Sequence, residues 1–303
     1  MKGLVLRIDA KVCHVDVEGT THILPLRGRI FEQRSSHEAR PIAVGDHVEV
    51  VLEDGGGAIE VVLHRTSRLT RRKAGDDDKR EQVIAANISL VMVMASIRDP
   101  IFQPELVDRI LAGAEREHVR PILTITKVDR DKRGYAGEWA ELYRDIGYEV
   151  FTTSIAKGRE TNETLQALRE LLQDNITVLC GASGVGKSSL INTIIPGLNL
   201  RIGSLGRIRQ GKHTTSHTQL IPLPGGGHVL DTPGIRSFGL QNLAPLDLAF
   251  CFPEIKSLVS GCEYRNCTHT VEPECAIFQA VENGEIAESR YVSYTLMLED
   301  LNR

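Results

Sequence analysis

One segment restricts the folds open to this chain more than any other: residues 181–188 read GASGVGKS. This is the GxxxxGK[ST] pattern of a phosphate loop, in which glycines let backbone N–H groups surround phosphate oxygens without Cβ clashes. An apolar run at 176–180 precedes the loop, and a helical pattern at 187–195 follows it. Strand, glycine loop and helix in this order predict an α/β domain with a doubly wound parallel sheet.

The residue types within the loop predict individual contacts to a bound nucleotide. Lys187 is expected to contact the β and γ phosphates, and the Ser188 hydroxyl to ligate Mg²⁺. The other residues expected to line the phosphates are Gly181, Ala182, Ser183, Gly184, Val185, Gly186 and Ser189.

Two further motifs indicate which nucleotide is bound. Residues 126–129 read TKVD and resemble the guanine-reading [NT]KxD loop, and residues 231–234 read DTPG, a DxxG switch. The Asp129 carboxylate can accept both N1–H and the 2-amino hydrogen of guanine, whereas adenine has no matching donors there. Asp231 is expected to hold Mg²⁺ through water, and the Gly234 amide to meet the γ-phosphate. The motifs together predict a GTP/GDP site with Mg²⁺.

The order of these motifs along the chain is unusual. An ordinary GTPase begins with the phosphate loop and ends with the base reader, whereas here the TKVD loop comes first. The sequence therefore predicts a circularly permuted GTPase domain. Within it, Lys127 is expected to lie along the base and brace the phosphate loop. Thr126 replaces the more usual Asn, so a single hydroxyl remains to tie the two loops together. Residues 154–157, SIAK, either contact guanine O6 or form an ordinary loop after a strand.

The residues expected to complete the γ-phosphate site lie in two more loops. Residues 203–215 are rich in glycine and basic side chains and are predicted to be the first switch. Thr214 or Thr215 can close onto the nucleotide, with Thr215 as the Mg²⁺ ligand. His213 is the nearest candidate to position the attacking water. Because Ile235 follows the DxxG switch where many GTPases carry a water-orienting Gln, intrinsic hydrolysis is expected to be slow.

A cluster of soft ligands near the C-terminus predicts a metal site. Cys262, Cys267, His269 and Cys275 offer three thiolates and one imidazole within fourteen residues. They make a complete tetrahedral shell for one structural Zn²⁺, with no position left open for catalysis. In a reducing compartment, clustering favours a metal over disulfides, and the alternative is a set of free thiols. Apolar residues at helical spacing follow the cluster, so the module is predicted to be mainly helical.

The chain is expected to contain three domains. Short alternating strands in residues 1–70 predict a small β-barrel, OB-like by strand count and size, although an SH3-like barrel fits the same periodicity. From His64 to Arg80 the composition turns basic and indicates a linker, which separates the domains at 71–80. The GTPase domain is predicted at 81–238 and the zinc-binding module at 239–303.

The overall composition limits the classes of protein to which this chain can belong. The chain has 303 residues, of which 41% are hydrophobic and 25% charged, as in an ordinary globular protein. Its net charge of −4 argues against a uniformly basic nucleic-acid coat, so RNA contacts are expected from local patches. No apolar run reaches the ~18 residues of a membrane span, and the N-terminus lacks a signal-peptide layout, so a cytoplasmic location without membrane contact is expected.

These features together resemble the small-ribosomal-subunit-dependent GTPase A family (RsgA-like). The segments GKHTT, DTPGI and CxxxxCxHxxxxxC carry the resemblance, in the order of that family. It implies a monomer that binds the 30S subunit through its 16S rRNA, with RNA contact by the N-terminal OB fold, and acts late in maturation. It further implies subunit-stimulated GTP hydrolysis that releases the protein and helps remove other 30S assembly factors. It also assigns water positioning to His213.

Two other functions remain open at this point. The first is a GTP-responsive rRNA-binding scaffold with negligible turnover, which Ile235 favours. The second is a phosphate-loop kinase for a small metabolite, which predicts phosphate transfer to an acceptor and no preference for guanine; TKVD together with DTPG argues against it.

Overall fold

The computed structural model describes residues 1–9, 12–27, 30, 41–53, 56–71, 82–198, 218–231, 240 and 243–302. Two compact units divide these residues. The first unit holds those within 1–91, 166–179 and 188–235, and the second those within 92–165, 180–187 and 236–303. Within the part described, every helix is too short or too polar to cross a membrane.

The described strands are, in chain order, β1 (Lys2–Asp9), β2 (Val12–Val17), β3 (Thr20–Pro25), β4 (His47–Glu53), β5 (Gly56–Val62), β6 (Arg68–Arg71), β7 (Gln82–Ala86), β8 (Leu90–Ser96), β9 (Arg120–Thr126), β10 (Glu149–Thr153), β11 (Ile176–Cys180), β12 (Gln219–Pro222) and β13 (His228–Asp231). The described α-helices are α1 (Pro104–Arg116), α2 (Tyr135–Asp145), α3 (Asn162–Leu172), α4 (Lys187–Ile194), α5 (Pro253–Lys256), α6 (Ala276–Glu282) and α7 (Glu288–Leu301). Short 3-10 helices lie at Val128–Arg130, Pro245–Cys251 and Val259–Gly261.

The N-terminal strands form the predicted small barrel. β1 pairs antiparallel with β2 and β4, β2 pairs with β3, and β4 pairs with β5. A parallel bridge between Leu26 and Ile59 brings the end of β3 to β5. The fourth strand thus returns to lie beside the first, which is the Greek-key arrangement of a five-stranded OB barrel. Alternating residues of these strands, such as Val15 and Val50, are buried inside the barrel.

One prediction about the N-terminal region, that for the basic stretch, is wrong in detail. The strand β4 begins at His47. Gly45 has φ +87, and a Cβ there would lie 2.2 Å from the carbonyl oxygen of Ala86, so the backbone turns at this point. The basic stretch from His64 is not a linker throughout, because its residues 68–71 form β6, paired with β7. The rest of the predicted linker, 72–80, lies outside the described residues.

The first unit joins the barrel to a part of the nucleotide-binding sheet. β11 and β13 run parallel, and β12 pairs antiparallel with β13. β12 also pairs antiparallel with β1 of the barrel, with Gln219 opposite Arg7. The strand order in this unit is therefore β11-β13-β12-β1-β2-β3.

The second unit contains the order β10-β9-β8, with β9 and β10 parallel and Thr126 level with Thr153. All residues of β8 are buried. From β8 to β11, strands alternate with helices, as expected for an α/β domain. We refer to residues 243–302 as the C-terminal module; its helices share one apolar core, which includes Phe252, Ile277 and Tyr294, and Ala112 of α1 packs into the same core.

Candidate nucleotide site and metal site

The phosphate loop lies between β11 and α4, as the sequence predicts. Gly181 has φ +139, and a Cβ at this position would lie 2.0 Å from the carbonyl oxygen of Met94 in β8. Only glycine lets the chain pass so close to that strand. Gly184 and Gly186 also have positive φ, at +86 and +101. The loop ends at the N-terminus of α4, where unpaired N–H groups carry partial positive charge and favour an anion.

The side chain of Lys187 is held inside this loop. Its Nζ donates hydrogen bonds to the carbonyl oxygens of Gly181 (2.9 Å) and Ala182 (2.8 Å), and only 7% of the residue is exposed. Burial lowers the pKa of Lys187, since the charged form loses hydration. Ser188 is buried, whereas Ser183 and Gly184 are exposed.

Thr126 connects the end of β9 to the phosphate loop. Its Oγ1 donates a 2.6 Å hydrogen bond to the carbonyl oxygen of Val185, and the residue is buried. The hydroxyl therefore supplies the loop-to-loop bond for which an Asn amide would be the usual donor.

Lys127 makes a second connection between the same loops. It has a left-handed backbone with φ +60, and its Nζ donates to the carbonyl oxygen of Gly184 at 2.7 Å. The same ammonium also donates to the carbonyl oxygen of Asp99, in the loop between β8 and α1. Partial burial lowers the pKa of Lys127. Three loops thus meet at one side chain.

Asp129 is held in place by Ser154, the first residue of the segment 154–157. Ser154 Oγ, 1% exposed, donates a 2.7 Å hydrogen bond to Oδ1 of Asp129. Arg159 Nη1 reaches the main-chain oxygen of Asp129 at 3.3 Å. Of the two interpretations of residues 154–157, this contact favours a loop that belongs to the guanine corner. The parallel register of β9 and β10 was the signal that could have identified Ser154, because residues that follow two paired strands lie side by side.

Several predicted site residues lie outside the described part of the chain. These are His213, Thr214, Thr215 and Gly234. Asp231 ends β13 with a described backbone, and its side chain lies outside the description as well. The geometry above therefore concerns the base-reading and phosphate loops.

The four predicted metal ligands come together in the C-terminal module. One ligand atom from each of Cys262, Cys267, His269 and Cys275 lies within 4.8 Å of all the others. Cys262 Sγ is 3.5 Å from His269 Nδ1 and 4.0 Å from Cys275 Sγ, and Cys275 Sγ is 3.6 Å from the same nitrogen. Zinc bonds of about 2.0–2.3 Å place tetrahedral ligand atoms roughly 3.5–3.8 Å apart. The residues present therefore fit one Zn²⁺.

The surroundings of the cluster suit a structural metal. Burial lowers the pKa of His269, which favours the neutral ring that a metal ligand requires. Tyr291 Oη donates to the carbonyl oxygen of His269 at 2.8 Å, and Tyr294 Oη to that of Thr268 at 3.0 Å. Both tyrosines belong to α7, so the ligand loop is attached to the core of the module. Cys267, His269 and Cys275 are buried, which leaves little room for a substrate.

Known proteins resemble this chain over its whole length. A family model described as RsgA GTPase matches residues 62–241. The small ribosomal subunit biogenesis GTPase RsgA of Porphyromonas gingivalis is 39% identical over 100% of this chain and 98% of its own. The protein of the same name from Chlorobaculum parvum is 40% identical over 86% of each chain.

Two solved structures have the same fold. YjeQ from Thermotoga maritima aligns with a TM-score of 0.81 and 33% identity, over 99% of this chain and 98% of that one. YloQ, described as a circularly permuted GTPase, aligns with a TM-score of 0.76 and 31% identity, over 99% and 94%. The predicted permutation, the barrel followed by a phosphate-loop domain and the C-terminal helices with their cysteine cluster are confirmed. The family model covers more than half of the sequence and the Porphyromonas gingivalis relative matches all of it, so this chain belongs to the RsgA family of circularly permuted GTPases and is a GTP hydrolase.

Proposed function

We propose that this GTPase acts in the maturation of the small ribosomal subunit. It binds the 30S subunit, hydrolyses GTP to GDP and phosphate when the subunit stimulates it, and couples hydrolysis to its own release and to that of other assembly factors. The names of the relatives support the process and the partner. We also propose that the protein is a cytoplasmic monomer and that it contacts 16S rRNA through its N-terminal barrel.

One observation carries the proposal: the base-reading loop and the phosphate loop meet although their order in the chain is reversed. Thr126 and Val185 are 59 positions apart, and Lys127 and Gly184 are 57 apart, yet each pair is hydrogen-bonded. A pocket built in this way can read guanine at one end and hold phosphates at the other. Neither a kinase for a small metabolite nor a simple phosphate site needs this connection.

We assign roles within the site as follows. The loop 181–188 with Ser189 and the N-terminus of α4 hold the phosphates, and Lys187 supplies positive charge to them. Asp129 reads the guanine edge, with Lys127 along the base. Ser188 and Thr215 would ligate Mg²⁺, which neutralises phosphate charge when bound. Asp231 would hold the same ion through water. Thr214 and the Gly234 amide would contact the phosphates, and His213 would position the attacking water.

We further propose domain limits of 1–70 for the barrel, 71–80 for the linker, 81–238 for the GTPase domain and 239–303 for the zinc-binding module. The fit of the four ligand atoms to tetrahedral spacing supports one structural Zn²⁺ in the last of these. Three buried ligands make catalysis at that ion implausible.

The test of the proposed function is GTP turnover with and without purified 30S subunits. We expect low turnover of the protein alone, because Ile235 cannot orient water, and a rise of orders of magnitude with subunits. We expect His213→Ala to lose the stimulated rate and to keep nucleotide binding. His118→Ala, which removes an exposed histidine at the end of α1, is the matched control and should keep the stimulated rate. Turnover that stays at the basal level with saturating subunits would instead support the scaffold function.

A second prediction concerns the base. We expect Asp129→Asn to weaken GTP binding by about tenfold to a hundredfold, because a bidentate contact to a base edge is worth about 1–3 kcal/mol. The Asn amide matches the edge of xanthine, so binding of xanthosine triphosphate should rise. Fluorescence titration with both nucleotides measures the change. Asp145→Asn, at the exposed end of α2, is the control and should bind GTP as the unmodified protein does. Equal binding of ATP and GTP before substitution would contradict the guanine assignment and favour the kinase.

A further inference from the structure

A buried arginine connects the C-terminal module to the helix that follows β8. Arg290 of α7 is 1% exposed. Its Nη1 lies 2.5 Å from Oδ1 of Asp108 in α1, and its Nε lies 2.6 Å from Oε1 of Glu254 in α5. The guanidinium also lies over the ring of Phe252, with its central carbon 4.6 Å from the ring centroid. One side chain thus joins α1, α5 and α7.

The ion pairs of Arg290 restrict how α1 can pack against α7. Burial opposes the charge of Arg290, but the carboxylates of Asp108 and Glu254 outweigh that effect and raise its pKa well above the usual value. Tyr143 Oη donates a 2.6 Å hydrogen bond to the same oxygen of Asp108. If α1 moved away from α7, the buried carboxylate of Asp108 would lose its charged partner and Arg290 would keep only Glu254, and such a loss is strongly unfavourable. The ion pair therefore holds α1 in one position against the module.

The N-terminal end of α1, near Asp108, reaches the predicted nucleotide site. Asp108 lies in the second turn of α1, and the residues just before the helix are the loop 97–103. The carbonyl oxygen of Asp99 in this loop accepts from Lys127 Nζ, and its carboxylate lies 2.9 Å from Arg130 Nη1. Ser96 Oγ donates to the carbonyl oxygen of Pro100 at 2.8 Å and closes the loop.

The same helix, α1, also borders the phosphate loop. A small apolar cavity is lined by Val107 and Ile110 of α1 and by Gly181 and Val185 of the phosphate loop. Pro100 borders the same cavity. A shift of α1 would therefore change both the contact of Asp99 with Lys127 and the packing of the phosphate loop.

We propose that Arg290 is a positioning residue for guanine nucleotide binding: through Asp108 it fixes α1, and through the loop at Asp99 it places Lys127 against the phosphate loop. The C-terminal module thereby contributes to nucleotide affinity without touching the nucleotide. This inference rests on the proposed role of Lys127 at the guanine base. Linkage makes the effect reciprocal, so bound nucleotide also stabilises the contact between α1 and the module.

The test is a double-variant cycle on GDP affinity, measured by titration with a fluorescent GDP analogue in the presence of Mg²⁺. Arg290→Lys keeps a charge but lacks the fork that contacts both carboxylates. Lys127→Met keeps the stem and removes the ammonium that joins Asp99 to Gly184. We expect Arg290→Lys to weaken GDP binding roughly fivefold to tenfold. The double variant should then bind no more weakly than the weaker of the two single variants.

Three outcomes overturn the inference, and they are distinguishable. If the two fold-changes multiply, Arg290 acts independently of Lys127 and only the inference fails. If Lys127→Met binds GDP as the unmodified protein does, the proposed role of Lys127 fails and the route through it fails as well. An effect of Arg290→Lys on thermal unfolding without any effect on GDP affinity would show a purely structural role and also overturns the inference.

Controls separate this route from general damage. Arg109→Gln breaks an ion pair between Arg109 of α1 and Asp300 of α7, which joins the same two helices at the surface. Surface pairs contribute little, so GDP affinity should stay unchanged. Should Arg290→Lys fail to fold, Asp108→Asn replaces it in the cycle, because it keeps the size of the side chain and a polar contact to Arg290. We expect that the fold-changes in GDP affinity of Asp108→Asn and Lys127→Met also do not multiply in the double variant.

Discussion

Replacement of Lys187 by Met should lower the rate of GTP hydrolysis by about 10²–10³-fold, the range for loss of one preorganised charge-stabilising group. Its ammonium is buried in the phosphate loop and bonded to the carbonyl oxygens of Gly181 and Ala182. A charge excluded from water in this way interacts with phosphate oxygens more strongly than an exposed one. Met keeps the length of the side chain and removes the charge, so the loop should keep its shape.

Single-turnover hydrolysis and GTP titration, both without ribosomal subunits, measure this effect. Lys2→Met removes an exposed lysine at the start of β1 and serves as the matched control, for which no change is expected. Retention of at least half of the rate in Lys187→Met would show that the loop does not hold the γ-phosphate as proposed. Circular dichroism confirms that the variant keeps its fold.

The second large effect concerns the metal. We expect Cys275→Ser to abolish binding of one Zn²⁺ per chain and to expose residues 262–275 to amide exchange. Structural zinc contributes about 10–16 kcal/mol of apparent folding free energy in small zinc-finger peptides. Here the apolar core around Phe252 and Tyr294 remains, so a smaller loss, on the order of 5 kcal/mol, is expected.

Cys251→Ser is the control for this experiment. Cys251 is also a buried thiol of the C-terminal module, but it lies outside the ligand cluster and its Sγ faces the carbonyl oxygen of Asp247 at 3.6 Å. Zinc content by elemental analysis should be one ion per chain in this variant and none in Cys275→Ser. Full exchange protection of residues 262–275 in the zinc-free protein would contradict a structural role for the metal.

Features with a local pattern could be predicted from the sequence. The buried strand β8 appears as a continuous apolar run, and the helices of the C-terminal module appear as apolar residues at helical spacing. The phosphate loop and the four metal ligands each lie within a short segment, so their spacing alone indicates the chemistry. The OB topology required one further observation, the parallel bridge between Leu26 and Ile59, which no periodicity encodes.

Features that depend on distant pairs could not be predicted. Arg290 and Asp108 are separated by 182 positions. In the sequence, Arg290 is one arginine of a polar helical stretch, which usually faces solvent. Ser154 is a single serine after a strand, and its meaning depends on the register of β9 and β10. The basic composition of β6 made this segment resemble a linker. Charged residues weakly prefer loops, but pairing with β7 outweighs that preference in the fold.

The joint between β1 and β12 has a mechanical consequence. Main-chain pairing links β1 of the barrel to β12, and β12 is paired in turn with β13, which ends at Asp231. Backbone hydrogen bonds between neighbouring strands resist displacement of one strand along the other. If the barrel contacts the ribosomal subunit as proposed, a force on the barrel would be transmitted through β12 and β13 to the start of the DxxG segment.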